Sequence, residues 1–306
     1  MAIINLKRQG QMLNVLLENE FGRIELYELA DGLQAFQFFH QKGQGSISLY
    51  GGQVLSWQPE GQQPVFWLSD TSHYSTGKAI RAGVPLCWPW FGGEVKLPNG
   101  ALSKVSNHGF ARQSEWKVDD IEISASTVEV TLSLTGKDCS PYWPAAFELK
   151  QTLIFNESFQ QTLIMTNLSE QTVEYTGALH SYFCVGNPQK TDIPMLNDVL
   201  YDDKINGCND QKSTLKHCMG PIDRIYHNND NMFIVDHEWQ RKIEVISQGC
   251  QDWVLWNPGK GAEDMLDVHA QGEHEFVCLE AANTNWQQIT SQSSVSIGQT
   301  IKLHAL

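Results

Sequence analysis

Apolar and polar residues alternate one for one along much of this chain, and that period of two constrains the fold more than any other feature. Between Thr127 and Thr135, valine and leucine occupy every second position, with glutamate, threonine and serine between them. Two further alternating runs, Phe147 to Phe155 and Phe159 to Asn167, flank the short segment Asn156-Glu157-Ser158. Such alternation places one side of a strand in the core and the other in water, and the short connection predicts a hairpin.

The opposite signal, a sustained stripe of apolar residues at helical spacing with caps at both ends, is missing. We therefore predict an all-β protein: a large antiparallel β-sandwich with few helices and with long loops that carry the functional residues. The 306 residues contain no internal repeat and no linker rich in proline or serine, which favours one domain over 1–306. The polar, asparagine-rich stretch from Asn187 to Asp230 is interpreted as an irregular excursion over one face, whether a lid, a partner surface or neither.

The balance of charge limits the partners of such a protein. Its formal net charge is -14, which argues against nucleic acid and anionic membrane surfaces as partners, because both need a broad basic face. Seven scattered cysteines without C-x-x-C spacing fit reduced thiols, and no apolar run is long enough for a signal peptide or a membrane span. We expect a cytoplasmic protein with a small-molecule ligand; the sequence does not indicate its oligomeric state.

Arginines are scarce, and two of the six stand near aromatic residues in loops broken by glycine and proline. Arg81 opens the stretch that continues to Trp90 and Phe91, and Arg112 ends the motif that begins at Asn107. Guanidinium groups suit oxyanions, and an aromatic face can lie against a sugar ring. The pattern predicts a site for a small anionic polyol; the alternative is that either arginine neutralises a buried carboxylate.

Two ionisable residues occur in otherwise apolar, strand-like runs. His180 lies in the run from Glu174 to Phe183, and Glu280 lies in the run from Phe276 to Asn283. A lone histidine in such a run is usually a satisfied core residue, whereas a buried carboxylate must be paired, hydrogen-bonded or functional. If the two flank one substrate, they can divide the roles of acid and base. Burial would raise the pKa of the glutamate and positive neighbours would lower it, and the sequence leaves that balance open.

Motifs for several other chemistries are missing from the sequence. The ten histidines include no H-x-x-x-H pair with an acidic partner and no cysteine pair at zinc spacing, so no metal is predicted. There is no phosphate-binding P-loop and no dinucleotide fingerprint, so no cofactor is expected. The segment Gly-Ala-Leu-His-Ser is not the G-x-S-x-G elbow of esterases, which weakens that function.

Seven separate blocks of the sequence carry a resemblance when they are taken together. They are Ile80 to Pro85, Trp88 to Gly92, His108 to Arg112, Leu179 to Phe183, Tyr201 to Lys204, Trp256 to Pro258 and Glu280 to Asn283. In this order they resemble the D-hexose-6-phosphate mutarotase family, the glucose-6-phosphate 1-epimerases of the aldose 1-epimerase superfamily. The resemblance covers most of the chain and implies a galactose-mutarotase-like β-sandwich that interconverts the α and β anomers of glucose 6-phosphate without metal or nucleotide.

The resemblance also implies roles for single residues. His180 matches the family's acid and Glu280 its base, and Trp90 or Phe91 would lie against the sugar. Asn107 stands where some members have glutamine, and Asp202 is an alternative to Asp203. The residues assigned to substrate binding are Arg81, Asn107, His108, Arg112 and Asp203, with the two arginines on the phosphate.

Other functions stay open at this point. An aldose 1-epimerase acting on unphosphorylated sugars would not need the arginine pair. A carbohydrate-binding β-sandwich without turnover would not need His180 and Glu280. A glycosidase usually requires a pair of carboxylates, and here the best pair is a histidine with a glutamate.

Overall fold

The computed structural model describes residues 14–97 and 100–306. Over these ranges the chain forms strands and a few short 3-10 helices, and none of its helices is long and apolar enough to cross a membrane. The 3-10 helices are Ala111–Gln113, Pro188–Lys190, Pro194–Leu196, Gly259–Asp264 and Gly272–His274. The strands are β1 (Asn14–Asn19), β2 (Gly22–Glu28), β3 (Gln34–His40), β4 (Gly43–Ser48), β5 (Gln53–Pro59), β6 (Leu86–Cys87), β7 (Glu94–Lys96), β8 (Leu102–Lys104), β9 (Lys117–Ile123), β10 (Val128–Gly136), β11 (Phe147–Phe155), β12 (Ser158–Asn167), β13 (Val173–Leu179), β14 (Tyr182–Cys184), β15 (Thr191–Asp192), β16 (Tyr201–Asp203), β17 (Cys208–Gln211), β18 (Ile222–Tyr226), β19 (Met232–Asp236), β20 (Arg241–Gln248), β21 (Asp252–Asn257), β22 (Phe276–Ile289) and β23 (Ser294–Ala305).

The named strands pair antiparallel and build two large sheets and two smaller ones. The back sheet has the order β15-β19-β20-β23-β12-β11-β10-β9. The front sheet has the order β17-β16-β18-β21-β22-β13-β6, with β14 also paired to β22. Strands β1 to β5 form a meander, and β7 pairs with β8. The all-β, antiparallel sandwich with few helices that the sequence predicts is confirmed.

The core lies between the front and back sheets. Leu279 of the front sheet and Leu163 and Ile297 of the back sheet belong to one buried hydrophobic cluster. The ring of Phe66 bridges the layers, because its centroid lies 5.3 Å from that of Phe159 and 5.9 Å from that of Phe183. Burying aromatic and branched side chains of both sheets in one cluster provides the main drive for this packing.

The alternating runs in the sequence become the central strands of the back sheet. Phe147–Phe155 and Ser158–Asn167 form the expected hairpin, and every second residue of β11 is buried. One of the inward positions is Gln151, a polar side chain with no solvent exposure. The alternation therefore predicts which face is buried, while the chemistry of that face includes an exception.

The asparagine-rich stretch from 187 to 230 is more regular than expected. It contributes β15 to one edge of the back sheet and β16 to β18 to the front sheet. Its short strands pair with neighbours that are distant in sequence: β15 pairs with β19 and β18 pairs with β21. The stretch is irregular over most of its length, and the interpretation missed its four short strands because strands of two to five residues are too short to show a period of two.

Candidate active site

A cleft of about 380 Å³ opens on the face of the front sheet that points away from the core. Its floor is made by strand residues of β18, β21, β22 and the β13–β14 junction, and its walls by loops. The lining residues are Arg81, Phe91, Gly92, Asn107, His108, Arg112, His180, Tyr182, Lys204, Asp223, Ile225, Val254, Trp256, Met265 and Glu280.

Strand register brings His180 and Glu280 together. Strands β13 and β14 pair with β22 in one register on either side of His180, which places this residue opposite Glu280. His180 Nδ1 lies 3.3 Å from Glu280 Oε1, and the two residues are only 8% and 1% exposed. Two residues a hundred positions apart in sequence are thus cross-strand neighbours in one buried pair.

The same register arranges the whole floor of the cleft. Side chains on one face of a sheet recur at every second residue, and paired residues of adjacent strands point the same way. Two parallel rows result, Ile225, Val254, Glu280 and His180 in one and Asp223, Trp256, Cys278 and Tyr182 in the other.

Aromatic rings surround the imidazole of His180. Its ring stacks on Tyr182 with centroids 4.9 Å apart and an interplanar angle of 4°. The edges of two other rings complete the enclosure, His108 at 5.6 Å and Trp256 at 6.3 Å. The backbone N–H of His180 donates to the carbonyl of Pro85 at 3.0 Å. Contacts on several sides therefore restrict this ring to one orientation.

Burial shifts the pKa values of His180 and Glu280 in the directions that favour their uncharged forms. Desolvation raises the pKa of Glu280 well above its ordinary value; Asp223 raises it further and Arg112 opposes. Desolvation also lowers the pKa of His180 well below its ordinary value, and His108 and the two arginines add to the effect. Both shifts favour the uncharged forms, a protonated carboxyl beside a neutral imidazole, which together carry one proton.

Arg81 is already engaged with protein groups. Its Nε lies 2.9 Å from Asp267 Oδ2, and its Nη1 donates to the Tyr182 hydroxyl at 3.0 Å. The amide of buried Gln53 donates to the carbonyls on both sides of Arg81, which holds this loop in place. Arg81 thus combines the two roles that the sequence left open, because it lines the cleft and also neutralises a carboxylate.

Arg112 is placed differently. It lies in the 3-10 helix Ala111–Gln113, and its Nη2 donates to the main-chain carbonyl of Asn107 at 2.9 Å. Among residues 14–97 and 100–306, no carboxylate oxygen lies within ion-pair distance of its guanidinium, and its buried Nε makes no hydrogen bond. Its positive charge is therefore available to an anion in the cleft.

His108 and Phe91 form one wall beside the imidazole of His180. The Phe91 and His108 rings lie 4.9 Å apart, and the N–H of Gly92 donates to His108 Nδ1 at 3.1 Å. Burial lowers the pKa of His108 to about 3, with help from Arg112 and Arg81. Since Nδ1 accepts a hydrogen bond, the neutral ring carries its proton on Nε2 and can donate to an oxygen atom in the cleft.

Two residues assigned to substrate binding lie outside the lining. Trp90 is 3% exposed, belongs to the core cluster, and donates its indole N–H to Ser106 O at 2.9 Å. Asp203 accepts the N–H groups of Ile205 and Asn206, both at 3.1 Å, so its carboxylate closes a turn. Of the two aromatic candidates, Phe91 is the one that the structure places in the cleft.

The adjacent alternative, Asp202, is also used by the protein. Its Oδ2 lies 3.3 Å from His227 Nε2, and it is not among the cleft residues of the described chain. The aspartate that lines the cleft is Asp223, near Lys204. Burial raises the pKa of Asp223, and the positive charge of Lys204 partly offsets that rise. Sequence reasoning assigned no role to Asp223 or Lys204. For Asp223, the available signal was an acid that shares a strand face with Ile225.

Three groups in the cleft floor are possible metal ligands. Nitrogen, sulfur and oxygen atoms of His180, Cys278 and Glu280 lie within 4.8 Å of one another. Burial and the nearby Glu280 raise the pKa of the Cys278 thiol. The positive charges of Arg81 and Arg112 lower the pKa of His180 beside it. This charge distribution suits an anion better than a cation, and the prediction of a metal-free site stays a prediction.

Comparisons with known proteins identify the family of this chain. The family model described as aldose 1-epimerase matches residues 35–304. A candidate glucose-6-phosphate 1-epimerase of Escherichia coli (strain K12) is 32% identical over 279 residues, which are 89% of this chain and 91% of that protein. A protein of the same description from Salmonella typhimurium is 31% identical, with 89% and 90% of the two chains covered.

Solved structures show the same fold. The crystal structure of a candidate mutarotase, YeaD of Salmonella typhimurium, matches with a TM-score of 0.85 at 29% identity and covers 96% of this chain and 97% of that one. The galactose 1-epimerase of Lactobacillus acidophilus matches with a TM-score of 0.72 at 12% identity, over 93% and 98% of the two chains. The chain belongs to the aldose 1-epimerase family and is an isomerase of the mutarotase type that acts on a small-molecule sugar.

Proposed function

We propose that this enzyme interconverts the α and β anomers of D-glucose 6-phosphate and of related hexose 6-phosphates. The observation that carries the proposal is the buried His180–Glu280 pair in one cleft with Arg112, whose charge no carboxylate of the described residues neutralises. The names of the E. coli and Salmonella relatives support the same substrate. The cytoplasm, where hexose phosphates are retained by their charge, is the proposed location.

The reaction requires one proton to leave the substrate and one to enter it. Glu280 takes the proton from the anomeric hydroxyl O1 while His180 gives a proton to the ring oxygen O5, and the bond between C1 and O5 breaks. The open-chain aldehyde turns its other face toward O5, and closure reverses both transfers. The pair ends with the number of protons with which it began, so no cofactor is required. Two positioned groups of this kind each contribute about 10²- to 10⁴-fold.

A pair that holds one proton suits this chemistry. Catalysis in either direction starts with one proton on the pair, and the raised pKa of Glu280 and the lowered pKa of His180 both favour uncharged forms that together carry one proton. The dianionic phosphate would offset the positive charge of Arg112 and Arg81, which lowers the pKa of His180. Arg112 also lowers the pKa of Glu280, so substrate binding would raise the pKa of both groups; the reaction starts from the state with the proton on His180, the group that donates it to O5.

The phosphate is proposed to bind against Arg112, with Lys204 as a second positive group on the cleft wall. Arg81 contributes less, because Asp267 already neutralises part of its charge. Phe91 and Trp256 offer apolar faces to the sugar ring, and neutral His108 offers an N–H donor to a hydroxyl group. Asn107 stays a proposed substrate contact, since it lines the cleft and its main-chain carbonyl accepts a hydrogen bond from Arg112.

The test is anomer-exchange NMR on glucose 6-phosphate. Exchange between the two anomeric signals should accelerate with wild-type enzyme and fall to near the uncatalysed rate with Glu280→Gln and with His180→Asn. Absence of acceleration by folded wild-type enzyme would overturn the assignment of glucose 6-phosphate and leave either an epimerase for unphosphorylated sugars or a sugar-binding protein without turnover. Full activity in both variants would remove the acid and base assignment.

An aldose 1-epimerase for unphosphorylated sugars is the second candidate. The observation that favours it is the Arg81–Asp267 ion pair, because a neutralised arginine offers hydrogen bonds to sugar hydroxyls as readily as to a phosphate. Comparing kcat/KM for glucose 6-phosphate, glucose and galactose decides between the two. A value for glucose or galactose equal to that for glucose 6-phosphate would favour this second function.

A further inference from the structure

A chain of buried glutamine side chains crosses the core behind the His180–Glu280 pair. The Ser181 hydroxyl donates to Gln299 Oε1 at 3.0 Å, and Gln299 Nε2 donates to Gln161 Oε1 at 2.8 Å. Gln161 Nε2 donates to Gln151 Oε1 at 2.6 Å, and Gln151 Nε2 donates to the carbonyl of Gly52 at 2.6 Å. Every link therefore points the same way, from the front sheet toward the loop between β4 and β5.

Burying these groups is unfavourable unless each of them is satisfied. Ser181, Gln151, Gln161 and Gln299 are all at most 1% exposed and lie between two mainly apolar sheet faces. Apolar side chains of similar volume would fill the same space without any need for hydrogen bonds. A chain in which every amide oxygen accepts and every amide nitrogen donates gives a single, cooperative arrangement of its members.

The chain ends at the point where the backbone presents His180. Ser181 follows His180 in the two-residue junction between β13 and β14, and the side chains of the two residues point to opposite faces of the front sheet. At this junction the N–H of Ser181 bonds to Leu179 O, and the carbonyl of Ser181 accepts the N–H of Leu279 at 3.2 Å. The hydroxyl bond to Gln299 is the contact that ties the junction to the back sheet.

We propose that Gln299 is a positioning residue for His180, which it holds through the Ser181 hydroxyl. This inference rests on the proposed function, because it assigns His180 to the chemistry. The Ser181 bond fixes the height and direction of the junction, so the imidazole meets Glu280 and the substrate in one geometry. A displacement on the order of 1 Å in a reacting group lowers a rate by up to about 10²-fold, so a loosened junction should affect turnover more than binding.

Gln151 provides a matched control on the same sheet. Like Gln299 it is buried and makes two side-chain hydrogen bonds, but it lies three links away from Ser181. Ser181→Ala and Gln299→Leu should lower kcat by about tenfold and leave KM within about twofold. Gln151→Leu should lower the thermal midpoint comparably to Gln299→Leu and leave kcat within about twofold. The kcat of the double variant Ser181→Ala/Gln299→Leu should be no lower than that of the less active of its two single variants, because both changes remove the same hydrogen bond.

Steady-state anomer exchange with these variants decides the proposal. It is overturned if Gln299→Leu keeps kcat within twofold of wild type, or if Gln151→Leu loses as much kcat as Gln299→Leu. If folded wild-type enzyme accelerates no exchange, the proposed function fails, and the imidazole ¹⁵N resonances of His180 then test the network alone. They should shift in Ser181→Ala and Gln299→Leu and stay in place in Gln151→Leu; resonances that stay in place in all three would overturn it.

Discussion

The two faces of the front sheet differ in whether their buried polar groups are hydrogen-bonded. On the cleft face, His180 Nδ1 and Glu280 Oε2 are buried and make no hydrogen bond to any residue of 14–97 and 100–306. On the core face, one residue further along the chain, Ser181 begins a series of bonds in which each glutamine donates and accepts. Buried groups without partners are rare in native proteins because they are destabilising. The cleft face therefore keeps bonding capacity for a substrate, while the core face uses its capacity to hold the scaffold.

The largest expected difference between the two faces is in rate. His180→Asn should lower kcat by about 10²- to 10⁴-fold, because it removes a proton-transferring group, and should change the free energy of unfolding by less than about 1 kcal/mol. Ser181→Ala should lower the free energy of unfolding by about 1–3 kcal/mol, because it removes the donor to a buried amide oxygen, and should lower kcat far less. Anomer-exchange NMR and urea unfolding measure the two quantities. A large loss of rate in Ser181→Ala with full activity in His180→Asn would reverse the assignment of the faces.

The next largest effect concerns the two arginines of the cleft. Arg112→Met should lower kcat/KM for glucose 6-phosphate by about 10- to 10²-fold, since hydrogen bonds to charged groups contribute about 1.5–3 kcal/mol each. The same change should leave kcat/KM for glucose within about twofold. Arg81→Met, the matched variant, should lower the value for glucose 6-phosphate less, because Asp267 shares its charge. A larger loss in Arg81→Met than in Arg112→Met would place the phosphate on the other side of the cleft.

A pH-dependent change in stability tests whether the unsatisfied carboxyl is destabilising. The pKa of Glu280 is raised in the folded protein, chiefly by burial, so the folded state binds more protons than the unfolded state between the ordinary and the raised value. Its contribution to stability therefore falls as the pH rises through that window. Glu280→Gln removes the titration, so its thermal midpoint relative to wild type should rise by several degrees from pH 4 to pH 8. A difference that stays constant or decreases over this range would contradict the direction of the shift.

Strand alternation allowed the fold to be predicted to a useful depth. The runs around Val128 and Phe147 match the period of two closely, and they became β10 and β11. The short strands between 187 and 230 were missed because a segment of two to five residues is defined by its partner strand rather than by its own pattern. Local pattern thus indicates which residues can form strands, and only long-range pairing decides which strands form.

The site shows the same limit. An acid and a histidine in apolar runs were enough to select Glu280 and His180, but their contact depends on the register between β13, β14 and β22. Register also decides that Asp223, rather than Asp203, faces the cleft. Its position in a loop with glycine and proline makes Trp90 a candidate for sugar binding, yet its indole packs in the hydrophobic core. Residue type indicates what a side chain can do, and topology decides whether it meets a substrate.

The smallest expected effect separates these two kinds of tryptophan. Trp90→Phe removes a core indole and its bond to Ser106 O, so the free energy of unfolding should fall by about 1 kcal/mol while KM stays within about twofold. Trp256→Phe shortens a ring that lines the cleft and stands 6.3 Å from the His180 ring, so KM should rise about threefold with little change in stability. Steady-state kinetics and urea unfolding on both variants provide the comparison. The opposite result, a threefold rise of KM in Trp90→Phe and none in Trp256→Phe, would contradict this assignment. It would mean that the sugar binds on the Phe91 side of the cleft and gains no binding energy from Trp256.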